Sequence, residues 1–328
     1  MDNHTKKGNN SFGIVITTYI GDIYLTKALL ASIKMYLPEL PICLIQDGSF
    51  ELGDITSIYN IAHVIRKENV KDEFLRENCF GSRCTNMIAF WECPFDKFLY
   101  LDSDLVLWGN VLKNIDLSSF DFIHNTPHER YTDRVYKGQY FDYDRLFNHV
   151  EAFPWQECHF FNAGVFIARR GIFNIDAFKV LFFLWKKDKS LMPAEPQGMI
   201  NYLVFKNASD KRIQISETHL QTVVPVKTNL ELETIFSFDK NGPIIIEDSI
   251  IHWAGLKPLI TNNDSVFLTP MVYFRKAHLK NANSIWRFFP ILYFYYEEYS
   301  AILNRYHNGS ILKYIYRKLF RVFTNFKP

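Results

Sequence analysis

Two aspartates lie one residue apart at the end of an apolar segment of the chain. Asp102 and Asp104 follow KFLYL within the stretch FDKFLYLDSDLVLWG, residues 95–109. Two carboxylates at this spacing can converge on one hard divalent cation, whose charge removes their mutual repulsion. Such a cation often shares its coordination sphere with substrate phosphates, so it needs few protein ligands. The pair predicts a divalent metal site, and the competing interpretation is a solvated acidic turn.

Acid-x-acid triplets are common by chance, so the neighbouring residues must separate a site from a surface turn. The chain contains three of them, DSD at 102, DYD at 142 and ELE at 231. Only the DSD triplet follows apolar residues with the pattern of a buried strand. The other two lie in segments that mix polar with aromatic residues or alternate like an exposed element. This difference favours the DSD pair as the functional one.

The elements around this pair alternate between strand-like and helix-like segments. Continuous apolar strands separated by helices predict an α/β fold with a parallel sheet covered on both faces. Ligands bind such sheets at the carboxyl ends of the strands, and Asp47 and Asp102 both lie at such ends. Strands are predicted at 13–18, 41–47, 62–66, 97–102, 120–125 and 157–170 and within 242–258, and helices at 24–37, 82–92, 174–187 and 197–206.

The bulk composition bears on the class of protein. Apolar residues make up 48% of the 328 positions, which is enough for a sizeable core and excludes a disordered or fibrous chain. A net charge of +2 indicates no nucleic-acid partner. Five cysteines without a CxxC pair indicate reduced thiols and a cytoplasmic protein. We expect neither a signal segment nor a membrane-spanning helix, because the N-terminal residues are polar and the apolar runs are short.

The C-terminal part of the chain differs in composition from the rest. Residues 281–328 contain seven Lys and Arg, two Glu and 14 aromatic residues. Within 310–326, apolar and basic side chains occupy different arcs of a helix, which is typical of an amphipathic helix on anionic lipid. The alternative is a helix packed on the body with its charges in solvent. We therefore predict a disordered N-terminus (1–11), a main domain (12–280) and a helical, basic and aromatic extension that associates with membranes (281–328).

Four motifs in a fixed order resemble those of a known enzyme family. FLYLDSD is followed by FFNAGVF at 160–166, EPQGMIN at 195–201 and HWAGLKP at 252–258. This ordered set resembles GT-A glycosyltransferases and most of all family 8, which contains bacterial lipopolysaccharide galactosyl- and glucosyltransferases and glycogenin. The resemblance covers residues 12–260. It implies a GT-A catalytic domain, with a mostly parallel nucleotide-binding sheet flanked by helices.

The resemblance also implies a metal site. Asp102 and Asp104 correspond to the DxD pair that holds Mn²⁺ or Mg²⁺ against the diphosphate of a nucleotide sugar, and His252 corresponds to the third ligand. One imidazole among oxygen ligands suits Mn²⁺ somewhat better than Mg²⁺. A lone histidine after an apolar strand is more often a core residue, but the adjoining Gly255 and Lys257 favour a ligand. Glycine permits close approach to phosphate, and lysine supplies positive charge against the departing diphosphate.

A further group of residues is implied to bind the donor. Small residues in a strand let a ligand lie against the backbone, and Asn162, Ala163 and Gly164 correspond to the segment beside the donor sugar. The alternative for that segment is a tightly packed strand without a ligand. The alternative for Arg83 is an exposed arginine on a helix, and the alternative for Asp47 is an aspartate that only stabilises a turn. The other implied donor contacts are Thr17, Thr18 and Tyr19 at the nucleoside edge, Asp47 at the base or ribose, Arg83, and Ser103 between the two aspartates.

Two positions bear on the mechanism, and Asp104 is the third residue expected to be catalytic. Gln197 corresponds to the family glutamine near the reacting carbon, but the aspartate expected before it is absent and Glu195 lies one position earlier. Retaining transfer would use same-face attack, with the leaving diphosphate helping to deprotonate the acceptor and Gln197 stabilising positive charge on the sugar. Inverting transfer needs a carboxylate base, a role open to Glu195. We expect retention, because the surrounding motifs resemble a retaining family.

Together these features predict a metal-dependent hexosyltransferase peripheral to the inner face of the cell membrane. It would move a galactose, glucose or N-acetylglucosamine type of sugar from a UDP-sugar to a glycan or lipid-linked acceptor in surface polysaccharide or lipopolysaccharide synthesis. The acidic residues usual after the first strand are replaced by TTYIGD, which weakens the case for uridine. A sugar nucleotidyltransferase is disfavoured because its glycine-rich phosphate loop is missing. A non-catalytic carbohydrate-binding protein would not need the metal ligands and Lys257 together.

Overall fold

The computed structural model describes residues 11–126, 132–255, 257–261 and 267–306. The strands of these residues are β1 Phe12–Tyr19, β2 Ile42–Asp47, β3 Ile61–Ile65, β4 Lys97–Leu101, β5 Leu105–Trp108, β6 Phe122–Asn125, β7 Val165–Arg169, β8 Ile215–Thr218, β9 Gln221–Val223, β10 Phe238–Asp239, β11 Gly242–Pro243 and β12 Ser249–His252. The α-helices are α1 Ile23–Tyr36, α2 Ile55–Ile58, α3 Glu73–Asn78, α4 Ala89–Glu92, α5 Asp133–Gln139, α6 Tyr143–Leu146, α7 Ile175–Lys187, α8 Gln197–Ser209, α9 Asn229–Ile235, α10 Thr269–Asn281 and α11 Pro290–Tyr306. Short 3₁₀ segments span Ile20–Asp22, Lys67–Asn69, Arg83–Ile88, Trp155–Glu157, Lys189–Leu191, Val224–Val226 and Ile285–Phe288.

A seven-stranded sheet with the order β3-β2-β1-β4-β7-β6-β8 forms the centre of the fold. The first four strands in this order run parallel, β7 runs antiparallel between β4 and β6, and β8 is parallel to β6. The predicted mostly parallel sheet is therefore confirmed. A second, three-stranded sheet has the order β5-β12-β9. Because β5 follows β4 after only three residues, the junction of the two sheets lies at the carboxyl end of β4.

The sheet is apolar throughout because both of its faces are covered. On one face, aromatic side chains stack on each other, with the Phe166 ring 4.8 Å from that of Tyr100 and 5.3 Å from that of Phe90. On the other face, aliphatic residues of β1 and β4, such as Ile16 and Leu99, are fully buried beside α1 and α10. The parallel strands β1 to β4 therefore have a packed core on each face, and their carboxyl ends lie at the same edge of the sheet.

Two predicted elements differ from the observed ones. The predicted strand 157–170 begins only at Val165. The Asn201 amide explains this, because its Oδ1 accepts from the Phe161 N–H at 3.0 Å and its Nδ2 donates to the Phe161 carbonyl at 2.9 Å. These are the backbone groups that a strand ladder would use. The predicted helix 82–92 is mostly the 3₁₀ segment Arg83–Ile88, followed by the single turn of α4.

Helix α11 is bound to the body by buried charges. Glu298 is fully buried and pairs with Arg275 of α10, which is 2% exposed. The same carboxylate accepts hydrogen bonds from the N–H groups of Ile260 and Thr261 at 3.0 and 2.9 Å. Lys27 of α1 adds an ion pair with Glu297 of the same helix at 3.0 Å. The first part of the predicted extension 281–328 therefore packs on the main domain.

The remaining predictions for the two ends of the chain fall outside the described residues. The segment 310–326, predicted as an amphipathic helix, lies there, and so does the predicted disordered N-terminus except for Ser11. Ser11 donates its N–H to Asp96 at 3.0 Å. Among the helices of the described ranges, none has both the length and the hydropathy to cross a bilayer.

A buried histidine makes the stability of this fold depend on pH. Burial lowers the pKa of His124 to about 4, and its ring stacks on Phe161 at 4.6 Å. An unfolded histidine has a pKa of about 6.5, so between these values the unfolded chain binds a proton that the folded chain does not. Stability is therefore present above that window and lost as the pH falls, by about 2 kcal/mol at pH 5.

We expect His124→Phe to lose less stability than the wild type between pH 7.5 and pH 5, as measured by urea unfolding. Glu217 and His159 are the titratable neighbours of His124 and are unchanged in the variant. His149→Phe, at an exposed position, is the control and should lose as much stability between pH 7.5 and pH 5 as the wild type. An equal loss of stability in His124→Phe and the wild type would contradict this explanation.

Candidate metal centre

The pairing of β12 with β5 brings a histidine to the aspartate pair. His252, at the end of β12, pairs with Leu105, which directly follows Asp104. The Trp253 N–H donates to the Asp104 carbonyl at 3.2 Å, which extends the contact past the strand. One ligand atom from each of Asp102, Asp104 and His252 lies within 4.8 Å of the other two. The three residues predicted as metal ligands therefore come together.

The charges around the two carboxylates differ. Asp104 lies 3.5 Å from His252 Nε2 through one oxygen and 3.1 Å from Lys257 Nζ through the other. Burial opposes ionisation of Asp104, but Lys257 and His252 outweigh it and hold its pKa well below the ordinary range. Burial, and then the charge of Asp104, raises the pKa of Asp102 to about 6. Two carboxylates this close are costly without a cation, and a divalent ion would remove that cost.

Gly164 forms one wall of the cluster. The Asp102 N–H donates to the Gly164 carbonyl at 2.9 Å, and the Tyr100 hydroxyl donates to Asp102 Oδ1 at 2.8 Å. A Cβ atom on Gly164 would lie 2.5 Å from His252 Cε1 and 2.8 Å from Asp102 Oδ2. Any side chain here would therefore displace two of the three ligands. The cradle left by the glycine, with two carboxylates and one imidazole, fits a divalent cation.

The other imidazole nitrogen of His252 also has a partner. His252 Nδ1 lies 2.6 Å from Gln221 Oε1, and both side chains are buried. Gln221 begins β9, which runs beside β12 in the small sheet. The ring therefore presents Nε2 to Asp104 and Nδ1 to the glutamine.

The segment before β7 and the start of α8 meet beside the cluster. Gln197 Oε1 accepts from the Ala163 N–H at 3.3 Å, and its Nε2 donates to the Gln139 carbonyl at 2.9 Å. Asn162 Oδ1 accepts from the Gly164 N–H at 2.9 Å. The structure thus brings the Asn-Ala-Gly segment and Gln197 together next to Asp102, the residue that Gly164 contacts.

Glu195 and Arg83 lie further along the same edge. Glu195 precedes α8 and is partly exposed. Burial, and then the charge of Glu195, raises the pKa of the Cys84 thiol to about 12, so this carboxylate lies near the 3₁₀ segment Arg83–Ile88. The Arg83 side chain is exposed. The roles predicted for Glu195 and Arg83 stay predictions.

The predicted nucleoside residues are the last residues of β1 and β2, and the side chains of Thr17, Thr18 and Asp47 have partners inside the protein. The Thr18 hydroxyl is buried, 2.7 Å from the Thr26 hydroxyl of α1, so this side chain faces the helix. Asp47 accepts from the Gly81 N–H at 2.8 Å and from the Thr85 hydroxyl at 2.7 Å, which closes the loop that carries Arg83. Thr17 and Tyr19 lie at the edge itself and are partly buried. Donor binding by all four residues stays a prediction.

Asp22 is a residue of this centre that the sequence interpretation missed. It is 4% exposed, and its Oδ2 lies 2.9 Å from Lys257 Nζ and 3.1 Å from the Ser103 hydroxyl. Asp22 is the acidic residue of the stretch TTYIGD after the first strand, but no local pattern indicates its contact with Lys257, 235 residues away. Gly255, which precedes Lys257 by two residues, has a φ of 75°, in the left-handed region that favours glycine.

Comparisons with known proteins identify the fold. No protein-family model and no curated protein sequence matches the chain. The structure of an active-site mutant of LgtC, in which glutamate replaces a glutamine, is similar with a TM-score of 0.52 and 14% identity over 81% of this chain and 94% of that one. The structure of the galactosyltransferase LgtC in complex with donor and acceptor sugar analogues has a TM-score of 0.50 and 15% identity, over 83% of this chain and 95% of that one. GlyE, a glycosyltransferase of Streptococcus pneumoniae TIGR4, has a TM-score of 0.48 and 18% identity, over 92% of this chain and 64% of that one.

The central sheet, with the candidate metal centre at its edge, defines the class of fold. The chain has the GT-A glycosyltransferase fold, as the ordered motifs predicted. Within that class, it resembles family 8.

Proposed function

We propose that this protein is a metal-dependent glycosyltransferase that transfers a hexose from a UDP-sugar to a glycan or lipid-linked acceptor. The convergence of Asp102, Asp104 and His252 within 4.8 Å at the carboxyl edge of the sheet carries the proposal. A bound Mn²⁺ or Mg²⁺ would supply charge that neutralises the diphosphate of the donor. The complexes of LgtC with donor and acceptor sugar analogues support a nucleotide sugar and a saccharide as the two substrates.

Lys257 would bind the departing diphosphate. Its ammonium group lies between Asp104 and Asp22, and 28% of its side chain is exposed, so one face remains open to a ligand. Asp22 is buried and would keep Lys257 in place once Asp104 turns to the metal. A fixed positive charge beside the leaving group stabilises the charge that develops as the sugar–phosphate bond breaks.

Gln197 would lie beside the reacting carbon of the sugar. Its amide is held by Ala163 and by the Gln139 carbonyl, and this orientation is set before substrate binds. The similar LgtC mutant has its substitution at an active-site glutamine of that protein, which supports a role for an amide here. We propose retention of configuration, with inversion by Glu195 as the alternative. An NMR assignment of the product anomer decides between them, and an inverted product would exclude the retaining mechanism.

A screen of sugar nucleotides with and without Mn²⁺ tests the proposal by measuring the release of nucleoside diphosphate. We expect slow hydrolysis of one UDP-hexose that requires the metal and accelerates when its acceptor is added. A protein that binds saccharides but releases no nucleoside diphosphate from any donor, with or without metal, would instead be a carbohydrate-binding protein on this fold.

We also propose that the C-terminal part holds the enzyme on the inner, anionic face of the cell membrane. The 3₁₀ segment and α11 expose a row of large apolar side chains that would suit the headgroup region. This row contains Ile285, Trp286, Phe288, Phe289, Leu292, Tyr295, Tyr296 and Tyr299, each at least 45% exposed. The seven Lys and Arg of residues 281–328 would add attraction to anionic lipid.

Replacement of three of these residues, Trp286, Phe288 and Phe289, by serine should release the full-length chain from anionic phospholipid vesicles in a sedimentation assay. This variant keeps Glu298 and its contacts with Arg275 and the Ile260 N–H, which a cut at residue 280 would remove. Phe183→Ser, at a 57% exposed position of α7, is the matched control and should sediment like the wild type. Undiminished sedimentation of the triple variant would contradict a role for the row.

A further inference from the structure

We propose that Gln221 and Asn125 are positioning residues that hold His252 with its Nε2 lone pair directed at the two carboxylates. This inference rests on the metal site of the proposed function. It adds a role for two residues that belong to none of the four sequence motifs. Gln221 contacts the imidazole directly, whereas Asn125 acts through the backbone of Gln221.

Gln221 selects the tautomer of His252. A neutral imidazole carries one proton, and a metal can bind only the nitrogen that lacks it. The carbonyl oxygen Oε1 of Gln221 lies 2.6 Å from Nδ1 and accepts a hydrogen bond if that nitrogen carries the proton. Nε2, which lies 3.5 Å from Asp104 Oδ1, is then free to coordinate. Hydrogen bonds of this kind commonly fix the orientation of metal-binding histidines.

The Gln221 amide itself depends on its surroundings for its orientation. Its side chain is fully buried, and Nε2 has no hydrogen-bond partner among the described residues. Among the described residues, the bond to His252 is therefore the contact that orients the amide, so the orientation of the amide and the tautomer of the imidazole are set together. If the amide rotated, Gln221 Nε2 would donate to His252 Nδ1. The imidazole proton would then lie on His252 Nε2, and that nitrogen could no longer bind a metal. Hence the geometry of the pair matters for metal binding.

Asn125 holds the backbone at the start of β9, where Gln221 lies. It ends β6, is 7% exposed, and its Oδ1 accepts from the N–H groups of Leu220 at 2.8 Å and Gln221 at 2.9 Å. β6 belongs to the large sheet, whose strand β4 leads into Asp102, whereas β9 and β12 belong to the small sheet that carries His252. Asn125 is thus a buried polar link between the two sheets that supply the ligands.

The experiment measures Mn²⁺ binding to the full-length protein without nucleotide, by the loss of the free Mn²⁺ signal in electron paramagnetic resonance. We expect Gln221→Leu, which removes the acceptor at similar volume, to weaken binding by about 10- to 100-fold. Gln221→Glu keeps an oxygen acceptor and should bind at least as tightly as the wild type. Asn125→Ala should weaken binding and Asn125→Asp, which keeps the acceptor, should restore it. Asn207→Leu removes a buried amide of α8 that bonds to the Leu203 carbonyl, and should have no effect.

A second readout does not need the metal. In long-range ¹⁵N–¹H NMR spectra of the metal-free protein, Nδ1 of the His252 ring should carry a proton in the wild type, even though Asp104 Oδ1, 3.5 Å from Nε2, is a competing acceptor. In Gln221→Leu, Nδ1 loses its acceptor while Asp104 stays beside Nε2, so the proton of the neutral imidazole should move to Nε2. Unchanged Mn²⁺ affinity and an unchanged tautomer in that variant would overturn the inference. If Asn125→Ala fails to fold, the two Gln221 variants still decide. If the wild-type protein binds no Mn²⁺ and releases no nucleoside diphosphate, the proposed function fails, while the tautomer still tests the pair.

Discussion

The Asp104→Asn variant is expected to lose metal-dependent release of nucleoside diphosphate by about a thousandfold. A metal and its ligands supply several kcal/mol of charge stabilisation, and each 1.36 kcal/mol corresponds to about a factor of ten in rate. Asp104 has one oxygen near His252 and the other near Lys257, so both neighbours lose a charged partner in the variant. The measurement is the initial rate at saturating UDP-sugar over a range of Mn²⁺ concentrations.

The fold of this variant should survive, because Asp22 still pairs with Lys257 at 2.9 Å and the repulsion between the two aspartates is removed. Asp144→Asn is the matched control. It lies in the second acid-x-acid triplet and pairs with Lys137, and its side chain is 65% exposed. Its rate should equal that of the wild type. A rate of Asp104→Asn within tenfold of the wild type would mean that the reaction does not depend on this carboxylate.

The Gly164→Ala variant should fold and yet bind Mn²⁺ at least 100-fold more weakly than the wild type. One added methyl group would lie 2.5 Å from His252 Cε1 and 2.8 Å from Asp102 Oδ2, so both ligands must move. A shift of both side chains that relieves these contacts would break the coordination distances of about 2 Å that a small divalent cation requires. The Mn²⁺ affinity can be measured directly, and the free energy of unfolding in urea reports whether the core is intact.

Gly138→Ala separates a steric effect from the general effect of replacing glycine. Gly138 lies in α5, and a Cβ atom there would meet nothing within 4 Å. Alanine is the better helix former, so this variant should gain about 0.5–1 kcal/mol and keep full affinity for the metal. Equal Mn²⁺ affinity of Gly164→Ala and the wild type would show that the ion does not bind between Asp102 and His252.

Much of the fold could be predicted from local patterns. β1, β2 and β4 are continuous apolar runs because both of their faces are buried, and the predicted strands 13–18, 41–47 and 97–102 overlap them closely. Residues 157–164 misled the prediction because their apolar side chains are buried without forming a strand. The long-range contact with the Asn201 amide, 40 residues away from Phe161, takes up the backbone groups there.

The candidate site divides in the same way. Of its candidate ligands, Asp102 and Asp104 could be named from their spacing after an apolar strand, and His252 from the resemblance of HWAGLKP to a family motif. Asp22, Gln221 and Asn125 lie in no such motif. An aspartate or an amide is common in loops and at strand ends, and nothing local distinguishes one that supports a ligand.

The sequence by itself therefore determined the class of sheet and named three residues, Asp102, Asp104 and His252, that the fold brings together. Only the tertiary structure decided which residues hold them, because strand pairing between two sheets joins segments that are far apart in the chain. His252 reaches Asp104 through the pairing of β12 with β5, and Gln221 reaches His252 through β9. The docking of α11 through the buried Glu298 was decided in the same way, since its partners are Arg275 of α10 and the Ile260 N–H.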